Sequence, residues 1–345
     1  MKLGLFLLAG QFPGMTEAEA LAGAVDSAVA ADRAGLDSVW FAEHHFITYG
    51  VCPSAVVLAA NVLGRTSHIT VGTGVCMLSN RHPVALAEET ALLDHLSGGR
   101  FELGVGRGGP WVDLEVFGTG LARFEDGFAD SLDLLLSGLE HGRVAPPDGS
   151  PFFRFRPVPL VPRPASRPRP PVVVAATTPA TAEAAAVRGL PLLLGLHADD
   201  DERSQLLAGY AKVAADSGHD PDTVEHLAAA VCHIADTRAE AEADLRAAMP
   251  AWIREGVGGY VSISPAPRPV RDADAYVERL LRMHPIGSPE HCIERLGASA
   301  EQTGIKRVLL MVEGTGDPRR SLETVLRLGT EVAPYLVDRR AVVRK

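Results

Sequence analysis

Leu93-Asp94-His95-Leu96-Ser97-Gly98-Gly99-Arg100, continued by Phe101-Glu102-Leu103-Gly104-Val105-Gly106-Arg107-Gly108-Gly109, holds one complete helix-to-strand junction. Glycine accepts the left-handed backbone conformation that ends helices, so a helix closes at Ser97-Gly98-Gly99. A short apolar strand, Phe101 to Val105, follows and runs straight into Gly106-Arg107-Gly108-Gly109. Small residues around a single arginine leave room for a flat or anionic ligand and offer it one forked cation. The competing reading is a surface turn with a solvated arginine, and the rest of the chain decides between the two.

The same unit repeats outward in both directions. Lys2–Ala9, Ser38–Ala42 and Ile69–Val75 precede it as apolar runs, and Val172–Ala176, Leu192–Leu196, Leu227–Ala235 and Arg307–Val312 follow. Between them lie helical stretches. Thr16 is a helix cap with Glu17 and Glu19 in the first turn, and Leu21, Val25 and Val29 recur four apart. Pro53–Gly64, Pro83–Leu96, Phe124–Leu139, Asp200–Ser217, Arg238–Glu255 and Pro318–Val332 read likewise, as does the stretch from Thr178-Pro179 to Gly189.

Eight strands that are short continuous apolar runs, alternating with helices, predict a parallel sheet covered on both faces. The count predicts a closed (β/α)8 TIM barrel. A doubly wound open sheet is the runner-up, and no G-x-G-x-x-G opens a first βα unit to support it. The length of 345 residues exceeds the roughly 250 typical of such barrels, so one domain over residues 1–345 is expected, with insertions near 145–171 and 257–289.

Composition narrows the function. With 46% hydrophobic and 22% charged residues the chain has the make-up of a well-buried globular protein. Net charge is −10 without a basic block, which argues against nucleic acid and anionic membrane as partners. No apolar run reaches the length of a membrane span. The apolar start has one lysine and no small-residue cleavage pattern, so it reads as a buried strand, not a signal peptide. Cys52, Cys76, Cys232 and Cys292 are far apart and form no C-x-x-C pair. They read as reduced thiols of a cytoplasmic protein, without zinc site or disulfide framework. Lysine occurs only at 2, 212, 306 and 345, which leaves a Schiff-base lysine few places.

In a barrel of this kind, function collects at the carboxyl ends of the strands. Four pieces fall there. Glu43-His44-His45 follows the second strand; alternation along a strand keeps the three from pointing into one pocket, which argues against a metal. One of the two histidines is expected to be structural, and either fits. Thr73-Gly74-Val75 ends the third strand, and Gly106-Arg107 the fourth. Thr177-Thr178-Pro179-Ala180-Thr181 follows the fifth, with Thr178 as N-cap and Pro179 in the first helical position. The fourth and fifth strands are neighbours, so Arg107 and this helix start can converge on one phosphate.

Taken together, the sequence resembles the bacterial luciferase family of flavin-dependent monooxygenases. The resemblance is carried by Ala42–Phe46, by Val71-Gly72-Thr73-Gly74 running on to His82-Pro83-Val84, and by Glu88-Glu89. It continues through Leu93-Asp94 to Arg100, Gly104–Gly108 and Arg188-Gly189-Leu190-Pro191, and ends at Gly287-Ser288-Pro289-Glu290. It implies an enzyme that uses reduced FMN from a separate flavin reductase and activates O2 as a flavin C4a-hydroperoxide. His44 would be the catalytic imidazole, and Arg107 with Thr178 and Thr181 would bind the FMN phosphate. Gly74-Val75, joined by a cis peptide, would support the flavin ring, with Glu43, Thr73, Gly106 and Thr177 in the same cofactor-binding set. Luciferase α chains carry cysteine where this chain has Gly106 and glutamate where it has Thr177. These departures turn the expectation from light emission toward oxygenation of an apolar or aromatic small molecule, as in natural-product tailoring. A deazaflavin-dependent oxidoreductase and a non-catalytic flavin-binding relative are the alternatives. Glu43-His44-His45 argues against the second, because a binder has no use for a base.

Three further expectations concern the periphery. Pro53–Gly64 and Pro83–Leu96 carry more than one apolar face, which predicts a homodimer through these helices. Val257–Pro289 is expected to be a lid, hinged at Gly256, Gly258 and Gly259 and stiffened by Pro265, Pro267 and Pro269. Trp111 is expected to wall the substrate side.

Overall fold

Eight parallel strands form the framework: β1 (Lys2–Leu7), β2 (Ser38–Phe41), β3 (Thr70–Thr73), β4 (Phe101–Gly106), β5 (Val172–Ala176), β6 (Leu192–Leu194), β7 (Leu227–Val231) and β8 (Arg307–Met311). Each strand pairs with the next, and β8 returns to β1 with Lys2 opposite Arg307, so the sheet closes. The fold is a (β/α)8 barrel, and the open-sheet alternative falls. This computed structural model describes residues 1–264 and 272–336. None of its described helices is long and apolar enough to cross a membrane.

Trp40 fills the barrel interior, packed with Val173, Leu193, Leu227 and Leu309 and with the partly buried Phe6, Val75 and Ala175. Its indole explains Gly72, where a Cβ would run into the ring; at Gly104 a Cβ would lie 1.9 Å from the Thr73 carbonyl oxygen and 2.9 Å from the same ring. The opposite faces of the strands meet the helices. These are α1 (Glu17–Arg33), α2 (Ala55–Leu63), α3 (Pro83–Ser97), α4 (Phe128–His141), α5 (Pro179–Ala186) and α6 (Asp200–Asp216). They continue with α7 (Arg238–Gly258), α8 (Ala273–Met283), α9 (Pro289–Thr303) and α10 (Pro318–Arg327). Caps follow the sequence signals: Thr16 and Glu19 form a capping box on α1, and α3 closes on Gly98 with φ +65°.

The structure corrects several boundaries. The helix expected over Phe124–Leu139 breaks at Gly127, which separates Gly120–Asp126 from α4. The seventh strand leaves the barrel after Val231, and His233–Ile234 pairs instead with Ile286–Gly287. The stretch 145–171 is largely irregular; its Val158–Pro159 pairs with Arg143–Val144, and Asp94 grips it by accepting from Ser166 N (2.8 Å) and Ser166 Oγ (2.6 Å). In 257–289 the picture changes more. Gly256 and Gly258 belong to α7 and so are not hinges, and a Cβ on Gly256 would lie 2.7 Å from Tyr49 Cα. Much of the remainder is the packed helix α8. Pro265, Pro267 and Pro269 lie outside the described residues.

Candidate active site

Chain segments beyond the carboxyl ends of the strands enclose a cavity of about 380 Å³. Its walls are mainly apolar, with Phe6, Leu8, Val75 and Trp111 among them, and Glu43, Asp113, His44 and His45 as its carboxylates and imidazoles. The alternation argument does not hold here, because β2 ends at Phe41 and the three consecutive residues are no longer in a strand. Phe46, just after them, takes a left-handed φ of 61°.

Glu43 is buried and is occupied by the protein. Its Oε2 accepts from Ala55 N at the start of α2 (3.2 Å) and from Arg81 Nη1 (3.3 Å). Its Oε1 accepts from Met77 N at 3.5 Å and lies 3.7 Å from His45 Nε2. A carboxylate at a helix N-terminus is favoured by the unpaired amides and the dipole there. Glu43 thus ties β2, the segment after β3 and α2 together beneath the cavity.

His44 is placed by its neighbours. Its backbone N–H donates to Cys52 O (2.9 Å), and its ring sits edge-on to Tyr49 with centroids 5.3 Å apart. Tyr49 stacks on Trp252 at 4.5 Å, and Trp252 on Phe12 at 4.7 Å. His44 Nδ1 is buried and has no hydrogen-bond partner. Burial pushes the imidazole pKa down to about 4; His45 adds to this and Glu43 opposes it. The expectation of a histidine titrating near neutrality is therefore corrected: the ring is neutral at pH 7.

The Gly74–Val75 peptide is cis, as the resemblance implies. Both residues line the cavity, and a Cβ on Gly74 would lie 2.8 Å from Phe6 Cε2. A Cβ on Gly106 would lie 2.8 Å from Val75 Cγ2, so the absence of a side chain at 106 seats Val75. Thr73 stands apart from the cavity. Its hydroxyl donates to Gly104 O (2.8 Å) and accepts from Gly104 N (2.9 Å), locking β3 to β4.

The Arg107 guanidinium lies 4.5 Å over the Phe124 ring. Its backbone carbonyl accepts from Ser79 Oγ (2.6 Å), and among the described residues no carboxylate forms an ion pair with the side chain. Thr178 caps α5 with Pro179 next, and the Thr178 and Thr181 hydroxyls are 3.1 Å apart. Arg107 and Thr178 follow adjacent paired strands, with Val105 opposite Val174. Thr177 goes elsewhere: it lines a larger, separate cavity of about 580 Å³ between α5 and α6. Trp111 walls the mouth, its ring 4.6 Å from Tyr260, while Val112 N donates to Val261 O (2.8 Å).

Sequence reasoning missed Glu313. At the end of β8 it accepts from Leu8 N (2.7 Å) and Gly10 N (3.4 Å), and burial pushes its pKa up to about 7. A lone acid where an apolar strand ends was the available signal. Asp113 was missed as well; it is buried and accepts from Asn80 Nδ2 (2.5 Å) beside the cavity.

Comparison with known proteins converges on one family. The family model described as "Luciferase-like monooxygenase" matches residues 1–307. The alkanal monooxygenase alpha chain of the Kryptophanaron alfredi symbiont is 27% identical, over 98% of this chain and 99% of that one. Its counterpart from Aliivibrio fischeri is also 27% identical with the same coverage. Among solved structures, monooxygenase RslO1 from Streptomyces bottropensis superposes with a TM-score of 0.84 at 24% identity, covering 97% of this chain and 99% of that one. The FMN-complexed oxygenating constituent of 3,6-diketocamphane monooxygenase from Pseudomonas putida does so with a TM-score of 0.80 at 21% identity, over 97% and 98%. With the closed barrel, the cis peptide and the buried imidazole in hand, these matches show that the chain belongs to the luciferase-like monooxygenase family.

Proposed function

We propose that the protein is a monooxygenase that uses reduced FMN and O2 to oxygenate an apolar or aromatic small molecule. The observation that supports this most is His44, an imidazole held by Tyr49 and Gly50 at the wall of an apolar cavity of about 380 Å³. A neutral imidazole at such a wall can move a proton beside a bound ring system. The side chains around it suit a flavin. Gly74, Val75 and Gly106 form a floor of small bulk, and Arg107, with Thr178 and Thr181 at the α5 cap, offers a cation and helix amides for a phosphate.

Reduced FMN would supply the electrons that activate O2. The chain's own groups do the rest. His44, neutral at pH 7, has one ring nitrogen to donate and one to accept. Because burial disfavours the imidazolium, a proton taken up at the ring is readily released again, as proton transfer beside a reacting centre requires. Phe6, Leu8, Val75 and Trp111 exclude water from the cavity, and Glu43 fixes the segments that carry His44 and Val75.

The same reading includes a diffusing flavin reductase as electron source and a cytoplasmic setting, which suits four free buried cysteines. It also includes a homodimer through α2 and α3. There Val57, Leu92 and Leu96 are 69%, 49% and 74% exposed, a cost that a second copy would remove. Titrating the protein into FMN and, separately, into a deazaflavin tests the cofactor. Preferential quenching of FMN fluorescence is expected, and preferential binding of the deazaflavin would move the protein to the oxidoreductase alternative.

A further inference from the structure

Arg123, in the short helix Gly120–Asp126, is a buried cation without a counter-charge. Burial pushes its pKa down, and no carboxylate among the described residues stands beside it to oppose this. A desolvated, unpaired charge is unfavourable, and its hydrogen bonds offset that cost. Nη2 has two N–H groups; it donates to Leu78 O (3.1 Å) and to Arg81 O (2.5 Å). The guanidinium also lies 4.9 Å over the Phe153 ring.

Both carbonyls belong to one turn, and that turn reaches three separate pieces of the candidate site. Leu78 N donates to Gly106 O (2.9 Å), and Ser79 Oγ donates to Arg107 O (2.6 Å). Asn80 Nδ2 donates to Asp113 at the cavity (2.5 Å), and Arg81 Nη1 donates to Glu43 Oε2 (3.3 Å). A Cβ on Gly108 would lie 3.0 Å from Ser79 Oγ, so turn and arginine loop lie against each other. Arg123 itself does not line the cavity; the turn is its connection to the site.

We propose that Arg123 is a positioning residue. By holding the carbonyls of Leu78 and Arg81 it fixes, through Ser79, where Arg107 stands, and, through Arg81, where Glu43 stands. An apolar side chain would fill the same place without desolvating a charge, but it would hold neither carbonyl. The consequence for the cofactor rests on the FMN reading; the positioning itself does not.

Hydrogen exchange of the flavin-free protein therefore tests it first. In Arg123→Met the amides of residues 77–81 and 106–109 should exchange about tenfold faster than in wild type, as the loss of hydrogen bonds from a charged group implies, with β6 and α6 unchanged. Arg123→Lys, which keeps a donor, should fall between the two. Unchanged exchange at 106–109, or equally faster exchange throughout, would overturn the proposal. Fluorescence titration reads the consequence. Arg123→Met should weaken FMN about tenfold and leave riboflavin within about twofold, Ser79→Ala should do the same, and the double variant should bind no worse than either single one. Equal losses for FMN and riboflavin, which a merely structural role gives, or additive losses in the double variant would overturn it. Ser79→Ala removes one hydroxyl and carries both comparisons if Arg123→Met does not fold. A wild type that binds neither flavin would sink the FMN reading, and the exchange result would still decide the role of Arg123.

Discussion

A Cβ on Gly50 would lie 2.5 Å from His44 Nδ1 and 2.5 Å from the Leu8 carbonyl, so the imidazole holds its place because residue 50 lacks one. His44→Ala is expected to keep FMN affinity and to lose roughly 10²–10⁴-fold in turnover. Gly50→Ala should show most of that loss with His44 still present and its ring displaced in a crystal structure; full turnover with an unmoved ring would contradict this. The acid limb of stability carries the same residue. The folded pKa of about 4 lies below the ordinary 6.5, so His44 contributes stability that is present above about pH 6.5 and lost as pH falls toward 4. Urea melts of His44→Gln should therefore lose less stability over that window than wild type, and parallel curves would refute the shift. The triplet Glu43-His44-His45 was legible as a site from residue type alone. Its orientation was not, because the alternation rule presumes a strand that had already ended at Phe41.

At the scale of elements, the stretch Leu93–Gly109 did mark a helix, a glycine stop and a barrel strand, since those depend on local backbone preference. Its polar residues work over distances that local pattern does not reveal. Arg100 donates to Leu63 O (3.1 Å) at the end of α2, to Thr66 O (3.2 Å) and to Ile69 O (3.1 Å). It thereby fixes the turn that leads into β3. Asp94, fully buried, holds the stretch 145–171 through Ser166. Asp94→Ala should cost roughly 1.5–3 kcal/mol, the range for hydrogen bonds to a charged group, and should expose residues 145–171 to protease. A urea midpoint equal to wild type, with unchanged cleavage, would rule out this anchoring. The helix α8 inside 257–289 was obscured by reading the whole span as one mobile element.

For the whole molecule, barrel closure was legible because eight apolar runs fit no open arrangement as well. The join between first and last strands was not, and Glu313 guards it. Its folded pKa of about 7 lies above the ordinary 4.5 of a glutamate. The stability it contributes is fully present below about pH 4.5 and is lost as pH rises through 7. Glu313→Gln should flatten the stability profile between pH 5 and 8; an unchanged slope would show that the carboxyl does not titrate there. Light scattering at micromolar concentration should give the mass of a dimer, and Leu96→Glu with Val57→Glu should return a folded monomer. A monomeric wild type would remove the proposed interface.

The FMN site proposed at the barrel mouth rests on a phosphate held by Arg107 and the α5 cap. Fluorescence titration of FMN and riboflavin against wild type and Arg107→Ala tests it most directly. The loss of a charge-assisted bond, roughly 1.5–3 kcal/mol, should weaken FMN about tenfold to over a hundredfold and leave riboflavin unchanged. Equal FMN affinity in the two proteins, with riboflavin also equal, would remove Arg107 from the phosphate site.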